Sequence, residues 1–197
     1  MTTLPDPGQN PLQGPDRESE IVRGLLLAQV AAGYARALRR LVGGLQSDAA
    51  SPGDFPAEAL LAVNAARDIV RAAQAVASLP RLPELMQTAI RERLELLHAG
   101  SPHLKPARDV IQHLDEYVQT DGRQRGQWFD LTVQAAGDTC WVRIGRDLDV
   151  ELLRLLDDCE QLAETLRKSV VVWANLEWKL DAIEDALEAV LNASEER

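Results

Sequence analysis

The C-terminal quarter of the chain contains no residue that breaks a helix. From Asp147 to Arg197 there is neither glycine nor proline, and apolar residues recur mostly at three- and four-residue steps. Such a segment predicts an acidic helical region over 147–194. The pattern leaves two alternatives open, one long helix or two helices with a break near Ser169–Trp173.

Four further helices are predicted upstream, each bounded by glycine or proline. Gly43-Gly44 is expected to end the first and Gly100 the third, and Pro102 and Pro106 are tolerated only near the first turn of the fourth. The first three span about Ser19–Val42, Ala57–Leu79 and Pro83–His98, and the fourth begins between Ser101 and Ala107 and ends before Asp121.

Between the fourth helix and the C-terminal region, the apolar residues alternate as they do in a strand. The segments QWFDLTVQ and TCWVRIG are separated by the turn-forming residues Ala136-Gly137-Asp138. They predict a β-hairpin at 127–145. Because an isolated hairpin is only marginally stable, one face is expected to pack on the helices, with Trp128 and Trp141 in the core.

These segments together predict an all-α fold, an up-down bundle of about five helices with a small β-hairpin insertion. Residues 1–18 are rich in proline and glycine and are expected to form a disordered leader. Residues 19–197 are expected to form a single domain. Within it, Trp173 and Trp178 fit either the core or a dimer contact.

The net charge of −10 is concentrated at the C-terminal end. Residues 147–197 contain 14 acidic and 5 basic residues, whereas the first 146 contain 17 and 16. An acidic chain is a poor candidate for sequence-independent binding of duplex nucleic acid, which needs Lys and Arg to neutralise phosphates. The nearly neutral part of the chain still leaves room for a local phosphate site.

Cysteine and histidine usage predicts a reduced protein without a metal site. Cys140 and Cys159 are isolated and form no CxxC motif, which favours free thiols in the cytoplasm. The spacing of His98, His103 and His113 matches no standard zinc site. No secretory signal and no run of eighteen apolar residues is present, so we expect a cytoplasmic protein with no membrane contact, metal or cofactor.

The segment ARDVIQHLDEY, residues 107–117, carries the most specific chemistry in the sequence. On a helix, Arg108 and His113 lie toward opposite edges of one polar face, about 140° apart. Asp109 and His113 are spaced i,i+4, so the carboxylate can orient the imidazole and favour its protonated form. The alternative is a solvent-exposed helix face on which Asp109 and His113 only stabilise the helix.

This segment resembles the defining motif of the HEPN superfamily, an arginine followed by a polar residue and, after a short gap, a histidine. Here Arg108 is followed by Asp109, and four residues separate Arg108 from His113. The earlier segment LLAVNAARDIVRAAQAV is similar to the companion helix of such proteins. The resemblance implies an α-helical bundle that forms a homodimer with the two motif helices facing each other.

The resemblance also implies a function, a metal-independent endoribonuclease of the toxin or defence type with an antitoxin-type protein partner. Arg108 would bind phosphate and the developing charge, His113 would transfer protons, and Asp109 would orient it. Gln112, Arg123 and Arg125 are the candidate contacts to the RNA backbone. HEPN proteins that have lost activity serve as binding modules, so an inactive helical interaction or scaffold protein is the alternative.

Overall fold

The predicted all-α bundle with a small β element is confirmed. The computed structural model describes residues 16–47, 55–112, 131–136, 138–145 and 147–195. Within these ranges the chain forms five helices and one three-stranded antiparallel sheet. The helices are α1 (Arg17–Gln46), α2 (Phe55–Ala77), α3 (Glu84–Gly100), α4 (Leu104–Gln112) and α5 (Leu152–Glu195), and the strands are β1 (Leu131–Ala136), β2 (Thr139–Ile144) and β3 (Leu148–Glu151).

Helix α1 begins at a side-chain cap and ends later than predicted. The Asp16 carboxylate accepts a hydrogen bond from the Ser19 backbone N–H at 2.7 Å, which satisfies one free donor of the first turn. The prediction that Gly43-Gly44 ends the helix is wrong, because the helix continues to Gln46. Leu45 is fully buried, and burial of a leucine outweighs the cost of about 1 kcal/mol for a helical glycine.

Helices α1 and α5 pack antiparallel along the bundle. Arg17 at the start of α1 binds Glu177 and Asp181 in the second half of α5. Arg39, near the other end of α1, makes a two-pronged ion pair with Glu160 at 2.6 Å. These three ion pairs join the start of α1 to the second half of α5 and the end of α1 to the first half, as antiparallel packing requires.

Helix α2 packs against α1, α3, α4 and α5 and contributes the largest share of small core residues. Its buried positions alternate between alanine and aliphatic side chains, with Ile69 and Val70 facing the core. Because alanine lets helix axes approach closely, four neighbouring helices fit around α2. This central position brings α2 next to α4, where the candidate motif begins.

The sheet contains the predicted hairpin and one strand that the sequence did not predict. Strands β1 and β2 pair antiparallel, and Cys140, Val142 and Ile144 face the core, as expected for a hairpin packed on helices. Residues Leu148–Glu151 were predicted as helix, which is wrong, because they form β3. Gly145 adopts a φ of 65° that lets the chain turn, and Arg143 pairs with Asp149 across the two strands.

The C-terminal segment forms one uninterrupted helix, α5, with no break near Ser169–Trp173. Trp173 is fully buried in the core, whereas Trp178 is exposed. The prediction that Trp141 lies in the core is wrong, because it is on the outer face of β2 and is 40% exposed. Trp128 lies outside the described residues.

The two cysteines are free and buried. Burial raises the pKa of both thiols, and for Cys159 the nearby Asp158 and Glu160 raise it further. Among the described residues, α1 alone is long and apolar enough, by length and composition, to cross a membrane. In this structure Ile21, Ala31 and Leu38 of α1 pack in the core of the bundle.

Candidate functional site

Helix α4 is held in place from both sides. Leu104 and Ala107 are buried against the bundle, and α4 packs on α2 and β3. His103, just before the helix, lies with Nδ1 3.1 Å from the Asp149 carbonyl oxygen and 3.2 Å from the Asp149 N. His103 therefore anchors the start of α4 to β3. In one tautomer Nδ1–H donates to the Asp149 carbonyl oxygen, and in the other Nδ1 accepts from the Asp149 backbone N–H.

Arg108 and Asp109 of the motif form an ion pair with each other. The Arg108 Nη1 atom lies 3.1 Å from Asp109 Oδ1. The Arg108 side chain is only 13% exposed and the Asp109 side chain is 48% exposed. Arg108 is therefore more enclosed than a position on an outer polar face would be, and its charge acts where water screens less.

The other predicted site residues are divided between described and undescribed parts of the chain. Gln112 is exposed at the last described position of α4. His113, Arg123 and Arg125 lie outside the described residues. The predicted Asp109–His113 pair therefore stays a prediction, while the described part of the site gives Asp109 a partner in Arg108.

Arg67 of α2 is the residue that the sequence reasoning missed. It is close enough to Arg108 and Asp109 for their charges to act on its pKa. Burial is the largest cause that lowers the pKa of Arg67, followed by the positive charges of Arg71 and Arg108. In the part of the chain that the structure describes, the Nε atom of Arg67 is buried and has no hydrogen-bond partner.

One feature of the sequence could have pointed to Arg67, because the tripeptide Ala-Arg-Asp occurs twice and is followed each time by two aliphatic residues. The sequence reads ARDIV at residues 66–70 and ARDVI at 107–111. In both copies the arginine and aspartate follow a buried alanine, Ala66 in α2 and Ala107 in α4. Because the two helices pack together, the repeat places two Arg-Asp pairs on adjacent helices.

The charges around Arg67 form a small cationic group, which we call the arginine cluster. It contains the three guanidiniums of Arg67, Arg71 and Arg108 and the two carboxylates of Asp68 and Asp109, for a net charge of +1. Asp68 and Arg71 also lie 3.7 Å apart on the α2 surface. A net positive, partly enclosed pair of guanidiniums is suited to binding a phosphate or another oxyanion.

The remaining histidines show no sign of a metal site. His98 lies in the last turn of α3, where a helix dipole favours a basic group. Within the described ranges, no group of three or more His, Cys, Asp or Glu side chains is arranged to hold a metal ion. In the part of the chain that the structure describes, the arginine cluster is the grouping near the motif helix whose chemistry suggests a ligand.

Comparison with known proteins identifies no family: no family model, no curated protein and no solved structure matches the chain.

Proposed function

We propose that the chain is a HEPN-like RNA-binding protein with metal-independent endoribonuclease activity, and that it acts in the cytoplasm as a homodimer. The observation that carries the proposal is the buried Nε of Arg67, which has no hydrogen-bond partner among the described residues and lies on α2, the helix that packs against the motif helix of this otherwise acidic protein. Asp109 already pairs with Arg108, whereas the Nε of Arg67 has no partner among the described residues, and an RNA phosphate is an anion that could supply one.

In this proposal the arginine cluster holds the scissile phosphate. Arg108 binds a non-bridging oxygen and stabilises the charge that grows there in the transition state. The ribose 2′-oxygen then forms a bond to phosphorus while the bond from phosphorus to the 5′-oxygen breaks. His113 takes the proton from the 2′-hydroxyl, and His113 of a second copy gives a proton to the leaving 5′-oxygen.

The remaining predicted residues bind around this centre. Asp109 neutralises Arg108 in the absence of RNA, as its 3.1 Å ion pair indicates, and orients His113 during the reaction. Gln112, Arg123 and Arg125 contact the RNA backbone. An antitoxin-type protein partner would cover the same surface and hold the enzyme inactive.

RNA binding by variants of the arginine cluster tests the proposal. We expect Arg108→Ala and Arg67→Gln each to weaken binding of a single-stranded RNA about tenfold or more, as fluorescence anisotropy would measure. Arg40→Ala is the matched control, because Arg40 is exposed and lies on α1, whereas α4 packs on α2 and β3. Equal loss in all three variants, or no loss in any, would contradict a specific role for the cluster.

The second candidate function is an inactive helical interaction or scaffold protein. The observation that favours it is the row of large apolar side chains exposed on the second half of α5, which a protein partner would cover. This function predicts no RNA cleavage and no effect of Arg108→Ala on partner binding. If RNA binding depended on Arg108, an interaction or scaffold role alone would not explain the function of the protein.

A further inference from the structure

The second half of α5 leaves the body of the protein. Among the side chains of α5 that the structure describes, Ala174 is the last one buried in the core, and every one from Trp178 to Glu188 is exposed or half-buried. The helix nevertheless continues to Glu195, so about 27 Å of helix extends beyond Glu177 at 1.5 Å per residue. Arg17 holds the base of this extension through Glu177 and Asp181.

One face of the extension has the spacing of a coiled coil. Apolar residues follow each other at alternating steps of three and four, beginning at the buried Trp173 and continuing through exposed positions. The exposed members, which we call the α5 stripe, are Leu176, Leu180, Ile183 and Leu187. In heptad terms Leu180 and Leu187 occupy a positions, and Leu176 and Ile183 occupy d positions.

The charges that flank the α5 stripe select a parallel copy of the same helix. Lys179 occupies a g position and Glu184 the following e position, and both side chains are exposed. In a parallel, in-register pair, Lys179 of each helix faces Glu184 of the other, since g and e′ positions five residues apart meet. An antiparallel pair would place like charges together, because it brings g beside g′ and e beside e′.

Lys179 has no such partner within its own helix. Its neighbours three and four residues away are Asn175, Leu176, Ala182 and Ile183, none of which carries a charge. A second copy supplies both the apolar cover for the α5 stripe and the carboxylate for Lys179.

We propose that the α5 stripe is a self-association surface through which two or more copies of this chain form a parallel coiled coil. The a and d positions allow more than two strands, because leucine at a with isoleucine at d favours larger assemblies than the reverse order. This surface is distinct from the arginine cluster, since α4 packs on α2 and on β3, the strand that precedes α5, whereas the stripe lies in the second half of α5. The proposal stands whether or not the protein cleaves RNA.

The mass of the full chain in solution, measured by light scattering after size exclusion, tests the proposal. We expect a mass of two or more chains for the unchanged protein and for Ala182→Lys, and a smaller mass at the same protein concentration for Ile183→Lys, since contact between the motif helices of two copies does not use the stripe. Ile183 is 56% exposed, so lysine there should leave the helical circular dichroism intact. Ala182 is also exposed and adjacent but lies off the stripe, which makes it the matched control.

Charge exchange tests the parallel direction without touching the apolar stripe. We expect Lys179→Glu to raise the dissociation constant of self-association roughly tenfold, because repulsion replaces an attractive pair on both sides of the coiled coil. The double variant Lys179→Glu, Glu184→Lys should return to within about threefold of the unchanged protein. Arg40→Glu carries the same charge change on α1 and should have no effect.

Three results would overturn the proposal. One is a single-chain mass for the unchanged protein, which would indicate that a different protein, or another segment of the same chain, covers the α5 stripe. Another is an oligomer that Ile183→Lys leaves intact. The third is an oligomer that Lys179→Glu does not weaken, which would exclude parallel association.

Discussion

Arg108 and Asp109, consecutive residues of α4, form an ion pair at 3.1 Å in which the arginine is the enclosed member and the aspartate faces solvent. The same two side chains act in opposite directions on Arg67, the arginine lowering its pKa and the aspartate raising it. Under the proposed function, Asp109 competes with the RNA phosphate for Arg108, and we expect its removal to separate RNA binding from cleavage.

Asp109→Asn should strengthen RNA binding and slow cleavage. Binding gains up to about fivefold, the factor that corresponds to the 1 kcal/mol of one partly exposed ion pair, because a competing carboxylate is lost. Cleavage falls because His113 loses its orienting partner. Anisotropy and single-turnover cleavage measure the two effects, and Asp185→Asn on the exposed face of α5 is the control. Weaker RNA binding by the Asp109 variant would contradict competition.

Gly24 of α1 lies against Val170 and Trp173 of α5, and alanine there should destabilise the protein. An added Cβ would meet Val170, Leu79 and Trp173 at 3.2 to 3.4 Å, and all three side chains are buried and cannot yield easily. We expect Gly24→Ala to lower the free energy of unfolding in urea by about 1–3 kcal/mol.

Gly43 in the same helix is the control for Gly24. An added Cβ at Gly43 meets no atom within 4 Å, so Gly43→Ala should raise the free energy of unfolding by up to about 1 kcal/mol through helix propensity. If both alanine variants are stabilising, α1 and α5 are packed less tightly at Gly24 than in this structure.

The Glu177 carboxylate accepts hydrogen bonds from two donors. The loss in the free energy of unfolding when Glu177 is replaced should therefore depend on whether the new side chain can still accept a hydrogen bond. The buried Trp173 donates its indole N–H to Glu177 at 3.0 Å, and Arg17 binds the same carboxylate. Glu177→Ala leaves the indole N–H unpaired and should lower the free energy of unfolding by about 2 kcal/mol. Glu177→Gln keeps an acceptor and loses mainly the ion pair, so we expect about 1 kcal/mol or less.

The measurement for the Glu177 variants is urea unfolding at one fixed protein concentration, because self-association would make the apparent stability depend on concentration. Equal losses in the two variants would show that the hydrogen bond to Trp173 contributes little.

Because of Asp158, we expect the free energy of unfolding to fall as the pH rises above 3.8, the ordinary pKa of the group. Burial is the main cause that raises the pKa of this carboxyl in the folded state, and Oδ2 has no hydrogen-bond partner among the described residues. The folded state then binds the proton more tightly than the unfolded state does. The cost of the buried charge therefore appears as the pH rises from 3.8 through the raised pKa and is fully present above that raised pKa.

Asp158→Asn removes this cost and should be more stable than the unchanged protein at neutral pH. The difference should shrink below the ordinary pKa, where Asp158 is protonated in both the folded and the unfolded state. Urea unfolding at pH 7 and at pH 3 measures both differences. Asp185→Asn is the control, because Asp185 is exposed on α5 and is not among the charges that act on Asp158. A gain that is independent of pH would assign the effect to packing instead of charge.

The helices could be predicted because apolar periodicity and Gly and Pro boundaries are properties of the local sequence. The errors occur where tertiary packing determines the secondary structure or the exposure of a side chain. Gly43-Gly44 remains helical because Leu45 behind it is buried, a fact of tertiary structure. Residues Leu148–Glu151 are too short to show a period and become a strand because β2 offers an edge to pair with. Trp141 is exposed because the register of β1 and β2 turns Cys140 and Val142 inward.

The candidate site was predictable only in part. The helical wheel places Arg108 on a polar face but cannot show that α4 packs against α2, so neither the enclosure of Arg108 nor the approach of Arg67 follows from the motif helix alone. The similar segments ARDIV and ARDVI indicate that the two helices share an Arg-Asp pair. Only the packing of α2 on α4 shows that the two pairs lie on adjacent helices.

The rate of single-stranded RNA cleavage in EDTA, compared between the unchanged chain and His113→Ala, tests the central claim most directly. We expect cleavage without metal, products with 2′,3′-cyclic phosphate and 5′-hydroxyl ends, and a loss of at least about a hundredfold in His113→Ala, the scale of general acid–base catalysis. Gln112→Ala, next to it, should lose only a few-fold. Equal rates for His113→Ala and the unchanged chain, or no cleavage by either, would contradict the account.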